Sequence, residues 1–408
     1  MTIGTDPTTA SFDELRAMDS EHVMQTYGRL PVAFVRGEGT VLWDSEGRRY
    51  LDFLGGLAVT SLGHAHPVIA DAVADQARTL LHVSNLYYNA LQPKLAARID
   101  ALLGGGGRVF FTNSGAEANE CAIKLVRRYG QANGGPARHE ILAAYGSFHG
   151  RTLTTLAATG QPQKHEPFQP LPPGFRHVPF ADAASLTSAF DERVCAVMLE
   201  PVQGEGGVWP SPPGYLEAVR AACDEREVLL VMDEVQTGLG RTGRWFGFEH
   251  AGVRPDVVTL AKALGNGVPI GACWARHEVA EAFRQGDHGS TFGGQPLAAR
   301  AALAVLDVME AEDAPGRAGR AGERLTAHLE DLPEVATVRG WGLLLAAELV
   351  EGLDASAVAR GCLDAGLVVN AVTPTALRFA PPLLVSNEEI EHAIAILAGV
   401  LRNMETPR

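Results

Sequence analysis

Val228-Leu-Leu-Val-Met-Asp-Glu-Val-Gln236 and Asp256-Val-Val-Thr-Leu-Ala-Lys262 are the stretches that decide the fold. Each is a short aliphatic, β-branched run that stops abruptly on a chemically capable side chain. Runs of this kind, with no polar alternation, predict strands buried on both faces. Working outward, Arg108-Val-Phe-Phe-Thr112 and Val194 to Leu199 have the same character. After Thr112 a helical pattern puts Ala118, Ala122, Leu125, Val126 and Tyr129 on one face. Strands alternating with such helices predict an α/β fold with a mostly parallel central sheet flanked by helices. Ligands in that architecture bind beyond the carboxyl ends of the strands.

The flanks differ. A polar tail precedes Pro31 to Phe53, which reads as short strands and turns punctuated by Gly37, Gly39 and Gly47. Thr291 to Pro296 leads into an Ala- and Leu-rich helix. Val335 to Val350 and Leu367 to Pro381 predict antiparallel strands of a small α+β unit. Ser386 with Glu389 forms a capping box for a final helix whose stripe is Ile390, Ala393, Ile394, Leu397 and Leu401. The expected division is therefore an N-terminal segment, 1–53, packing with the small domain; a large ligand-binding domain, 54–298; and a C-terminal small α+β domain, 299–408.

Composition narrows the function classes. The net charge of −14 opposes binding to nucleic acid or anionic lipid. No apolar run approaches the ~20 residues of a membrane helix, and Met1 to Ala10 lacks the pattern of a signal peptide. Cys121, Cys195, Cys223, Cys273 and Cys362 are odd in number and scattered, which suits a reducing cytoplasm. His64 and His66 lack a third metal ligand, so no metal is expected; Gly104 to Gly107 lacks a P-loop lysine, and Gly204 to Gly207 is no dinucleotide fingerprint. Among 34 Lys+Arg residues only Lys94, Lys124, Lys164 and Lys262 are lysines. Where arginine serves almost everywhere, a lysine is enriched for work that arginine cannot do.

Three features fall at strand ends: Asp233, Lys262, and the small-residue helix start Asn113-Ser-Gly-Ala-Glu-Ala-Asn119. Together they are what a pyridoxal 5'-phosphate site requires. Ser114, Gly115 and Ala116 offer free amides and a positive dipole end to a phosphate. Asp233 would keep a pyridine nitrogen protonated, and Lys262 would carry the cofactor as a Schiff base and then act as general base.

These motifs with their surroundings resemble the class III (ω-type) aminotransferases of fold type I, most closely the acetylornithine aminotransferases. The matching text includes Gly55-Gly-Leu-Ala-Val59, Leu62-Gly-His-Ala-His-Pro67, Asn113 to Glu120, Ser147-Phe-His-Gly-Arg-Thr152 and Leu199 to Val208. It continues through Asp233-Glu-Val-Gln-Thr-Gly238, Leu260 to Gly267 and His288-Gly-Ser-Thr-Phe-Gly-Gly294. The resemblance spans Tyr27 to Pro382 and departs at Gln295, where the family usually has asparagine.

The resemblance implies further roles. Phe148 and Val235 would face the two sides of the cofactor ring, Gln236 its phenolic oxygen, and Glu200 would support the ring from behind. Ser290 and Thr291 would reach the phosphate from a neighbouring subunit, making a homodimer with shared sites. Arg378 would hold the α-carboxylate of glutamate, and Glu205 would neutralise it while an ω-amine is bound. Tyr27 and Arg151 would hold the far end of the donor. The implied reaction moves the ω-amino group of N-acetylornithine to 2-oxoglutarate in a ping-pong cycle of arginine biosynthesis. The alternatives are ornithine, succinylornithine, succinyl-diaminopimelate or another ω-amine; a non-enzymatic binding module would have lost Lys262 or Asp233.

Overall fold

The computed structural model describes residues 10–404, so the reading of the first ten residues lies, but for Ala10, outside it. A seven-stranded sheet forms the centre. Its spatial order is Gly107–Thr112, Gly271–Arg276, Val257–Leu260, Leu229–Asp233, Val194–Leu199, Glu140–Ala144 and Phe175–Val178. All its pairings are parallel except those of Gly271–Arg276, which runs against both neighbours. The reason for the aliphatic runs is now visible: Val194–Leu199, Leu229–Asp233 and Val257–Leu260 are buried at every position. The helix Gly115–Gly134 covers one face, burying Ala118, Ala122, Leu125 and Val126, with Tyr129 partly exposed at the end of the stripe.

Two smaller sheets flank this body. Val335–Trp341, Leu344–Leu349, Ala376–Phe379 and Asn370–Thr373 form an antiparallel sheet. The strands Phe34–Glu38, Val41–Asp44 and Arg49–Asp52 form a meander closed by Leu367–Val368, which pairs parallel to Arg49–Asp52. The final helix, Asn387–Arg402, carries the Ser386–Glu389 capping box and buries Ile390, Ala393, Leu397 and Leu401.

The polar tail holds one element the sequence reading left out, the helix Phe12–His22. It buries no residue, so there is no apolar stripe to find, but Ser11 and Glu14 cap it reciprocally. Arg241 links three distant segments. Its buried guanidinium donates to the Leu343 and Pro381 carbonyls and to Ser61 Oγ, and among the described residues no carboxylate pairs with it. Burial lowers its pKa to about 9.

Candidate active site

A cavity of about 390 Å³ opens at the carboxyl ends of the central strands. Strand Leu229–Asp233 delivers Asp233 to its wall, and the next two residues but one, Val235 and Gln236, turn with it. Strand Val257–Leu260 ends just before Lys262, which opens a single 3-10 turn, Lys262–Leu264. Lys262 sits in the left-handed region at φ 43°. A non-glycine residue held there is strained backbone, and such strain concentrates at functional sites. Across the cavity, Ser114 caps the helix Gly115–Gly134 by accepting from Glu117 N, which leaves the first-turn amides of Gly115 and Ala116 without intrahelical acceptors. Gly115 has to be small, because a Cβ there would stand 2.7 Å from Val235 Cγ1.

Asp233 is fixed from two sides. His149 Nδ1 lies 2.8 Å from its Oδ2, and Asn119 Nδ2 donates to the same oxygen at 2.8 Å. All three residues are buried. Burial alone would lower the His149 pKa, but the Asp233 hydrogen bond and charge, with Glu200 beyond, raise it above its ordinary value. Glu200 accepts from Phe148 N at 2.9 Å, and burial aided by the charge of Asp233 lifts it to about 7. In the sequence, Asn119 and His149 stand inside the Asn113–Glu120 and Ser147–Thr152 stretches with nothing to set them apart. No periodicity marks a lone histidine in a glycine-rich turn.

Behind the cavity residue Glu205, Arg378 on strand Ala376–Phe379 is buried and extends one arm to Glu205 Oε1 at 2.5 Å. Its Nε donates to Asn370 Oδ1, the residue opposite it in the neighbouring strand. Burial would raise the Glu205 carboxyl, yet Arg378, and less strongly Lys262 and Lys164, hold it below the usual value. Lys262 is partly buried, and desolvation lowers its pKa to about 8 despite Glu205. Arg151, exposed at the mouth, places its guanidinium carbon 5.6 Å from the centre of the Phe148 ring.

The cavity thus gathers Ser114, Gly115, Ala116, Phe148, Arg151, Glu200, Glu205, Asp233, Val235, Gln236 and Lys262. Arg378 does not line the cavity itself but reaches it through Glu205, and three other candidates lie elsewhere in this chain. Tyr27 is exposed and lines a separate groove near the N-terminal helix. Thr291 is exposed. Ser290 belongs to a neighbouring depression, although Asn113 Nδ2 reaches its Oγ at 3.3 Å. His64 Nε2 lies 2.7 Å from Asp52 Oδ2, and among the described residues no group of three or more His, Cys, Asp or Glu could hold a metal.

A flat phosphorylated ring fits what is present. Gln236 Oε1 and Nε2 are buried with no hydrogen-bond partner, the state expected of an amide that serves a ligand. Phe148 and Val235 are apolar walls, and the glycine-start helix offers amides to an anion.

A family model described as Aminotransferase class-III matches residues 23–401. The acetylornithine aminotransferase of Caldanaerobacter subterraneus is 49% identical over 387 residues, covering 94% of this chain and 98% of that one. That of Gloeobacter violaceus is 52% identical over 389 residues, covering 94% and 96%. A structure of ornithine aminotransferase from Toxoplasma gondii, described as revealing partial occupancy of PLP at its active site, matches with TM-score 0.92 at 33% identity over 96% and 94% of the two chains. The chain belongs to the class-III aminotransferases, enzymes whose cofactor is pyridoxal phosphate.

Proposed function

We propose that this enzyme transfers the ω-amino group of N-acetylornithine to 2-oxoglutarate, as a step of arginine biosynthesis. The observation that carries the reading is the Glu205–Arg378 pair beside Lys262. A cation fit for the α-carboxylate of glutamate is covered by a carboxylate, so the same wall is neutral toward an uncharged stem and cationic once Glu205 turns away. The names of the relatives at 49% and 52% identity point the same way.

Pyridoxal phosphate, when bound, supplies the carbonyl carbon that accepts the amino group and a ring that withdraws electrons. With the cofactor bound, Lys262 Nζ would serve as the general base that takes the proton from the donor carbon carrying the amine nitrogen. Its lowered pKa keeps a useful fraction in the neutral form. Asp233, held by His149 and Asn119, stabilises a protonated ring nitrogen. Ser114, Gly115 and Ala116 cradle the phosphate; Gln236 holds the phenolic oxygen; Phe148 and Val235 sandwich the ring and exclude water. Arg151 takes the donor's distal carboxylate.

Ser290 and Thr291 complete the phosphate site of a partner subunit, and Tyr27 reaches a substrate only in such a dimer. The exposed Leu86, Tyr87, Tyr88 and Phe292 beside Ser290 support that arrangement. The five free, buried cysteines suit a cytoplasmic enzyme. Among the described residues no helix is long and apolar enough to cross a membrane.

The test is a pair of half-reactions. The purified holoenzyme is mixed with N-acetylornithine or with glutamate, and the loss of its long-wavelength cofactor absorbance is timed. Both donors should bleach it rapidly. Bleaching by glutamate but not by N-acetylornithine would remove the named donor and leave the class.

A further inference from the structure

Lys164 is one of the chain's four lysines, and it has no part in the amino-transfer chemistry proposed above. It ends the 3-10 turn Pro162–Lys164, just after the Thr159-Gly-Gln161 stretch that hydrogen-bonds the residues on either side of Phe148. The turn is firmly tied. Gly160 N donates to Ser147 Oγ at 3.0 Å, Gln161 Nε2 to the Ser147 carbonyl at 3.0 Å, and His165 Nε2 lies 2.6 Å from the Thr159 carbonyl. Lys164 Nζ hydrogen-bonds Gln161 Oε1, so one glutamine side chain ties the lysine to the residue preceding Phe148. The ammonium lies 5.5 Å from the Phe148 ring centre, as the Arg151 guanidinium does at 5.6 Å. Two cations are therefore held at one aromatic side chain of the cavity. Lys164 is half-buried, and its pKa is lowered by burial and then by Arg151, while Glu205 opposes the shift. The ammonium thus stands on the Phe148 side of the cavity, one side chain from the residues that line it.

A planar guanidinium suits a carboxylate, whereas a compact ammonium is a point donor that suits a single carbonyl oxygen. An N-acylated α-amino acid offers both: a carboxylate and, on the next atoms, an amide carbonyl. A free diamino acid offers the same carboxylate with a positively charged α-ammonium beside it. We propose that Lys164 selects the acylated donor over the free diamino acid, donating to the acyl carbonyl oxygen and repelling an α-ammonium while Arg151 holds the carboxylate. The assignment rests on the reading of Arg151 as the distal carboxylate group.

The experiment measures kcat/KM of the holoenzyme for N-acetylornithine, N-succinylornithine and ornithine, each with 2-oxoglutarate, in wild type and in Lys164→Met, Lys164→Gln and Lys164→Arg. Like-charge contacts cost enough to shift the acylated-to-free ratio by roughly tenfold to a hundredfold. Lys164→Met should lose activity toward the acylated donors and gain it toward ornithine. Lys164→Gln, which keeps a donor without the charge, should gain toward ornithine with a smaller loss on the acylated side. Lys164→Arg should retain most of the preference. Movement of the two donor types in opposite directions is something a purely structural role would not produce. An equal fall for all donors, or no change in the ratio, overturns the proposal, and Lys164→Gln decides if Lys164→Met does not fold. A wild-type enzyme that uses N-succinylornithine but not N-acetylornithine would sink the named donor and leave Lys164 standing. One that turns over N-acetylornithine rapidly with no preference over free ornithine would sink the Lys164 assignment alone.

Discussion

His149 Nδ1 and Asp233 Oδ2 stand 2.8 Å apart inside the protein, and Asn119 Nδ2 meets the same oxygen. The Asp233 carboxylate is thereby aimed by two neighbours before any ligand arrives. Replacing His149 by alanine leaves that buried oxygen with one donor and adds a void. A lost charge-assisted hydrogen bond is worth about 1.5–3 kcal/mol. His149→Ala should therefore lower kcat and weaken cofactor retention by about tenfold to a hundredfold, read from steady-state rates and from cofactor loss on dialysis.

Glu205 has a different task. Glu205→Gln keeps a hydrogen-bond acceptor for Arg378 but removes the neutralising charge. The expected outcome is a fall of about tenfold or more in kcat/KM for the ω-amino donor, with a smaller change for glutamate. A uniform fall for both would assign Glu205 a structural role only.

Lys262 gives a pH signature. Its amine must be neutral to attack the cofactor, and burial places its pKa at about 8. Below that value the protonated form dominates, so capture of added pyridoxal phosphate by cofactor-stripped protein should climb with pH and level off above about 8. Stopped-flow absorbance across pH 6 to 9.5, a range spanning roughly two units below and one and a half above the Lys262 value, reads this directly. Lys262→Arg, never neutral in this range, should show no such capture.

Gly115→Ala tests the close approach at the helix start. The new methyl would meet Val235 Cγ1 at 2.7 Å, so either the helix or the Val235 wall must move. Overpacking of this sort costs about 1–3 kcal/mol. The variant should fold with a lower unfolding midpoint and bind pyridoxal phosphate at least tenfold more weakly by fluorescence titration.

Arg241→Met should destabilise without touching the cavity. It strands the Leu343 and Pro381 carbonyls and Ser61 Oγ in the interior. The expected loss is about 3 kcal/mol in denaturant unfolding, with kcat of the surviving folded enzyme little changed.

What could be read without coordinates follows a physical rule. Asp233 and Lys262 are legible because each follows an aliphatic strand run, and the carboxyl ends of such strands are where this architecture binds ligands. Direction was not legible. The strand Gly271–Arg276 lies antiparallel as the second strand from one edge of the sheet, and side-chain pattern carries no sign of chain polarity. The helix Phe12–His22 escaped because none of its residues is buried, though the Ser11–Glu14 box was there to be seen. His149 and Lys164 escaped for another reason. Their importance comes from contacts to Asp233 and Phe148 made through irregular turns, which spacing along the chain does not encode. Tyr27 was expected at the substrate, yet within one chain it stands apart from the cavity.

The parallel pairing of Arg49–Asp52 with Leu367–Val368 has a consequence for the order of events during synthesis. These partners lie more than three hundred residues apart, whereas the seven central strands are all contained between Gly107 and Arg276. On the ribosome the central sheet can assemble while the meander near the amino terminus still lacks its fourth strand. That meander keeps an open edge until the last tenth of the polypeptide emerges, and an open edge invites pairing with another chain. Nascent chains truncated before Leu367 should therefore be the aggregation-prone species, and a chaperone that shields the first fifty-odd residues would protect them through the longest interval of translation.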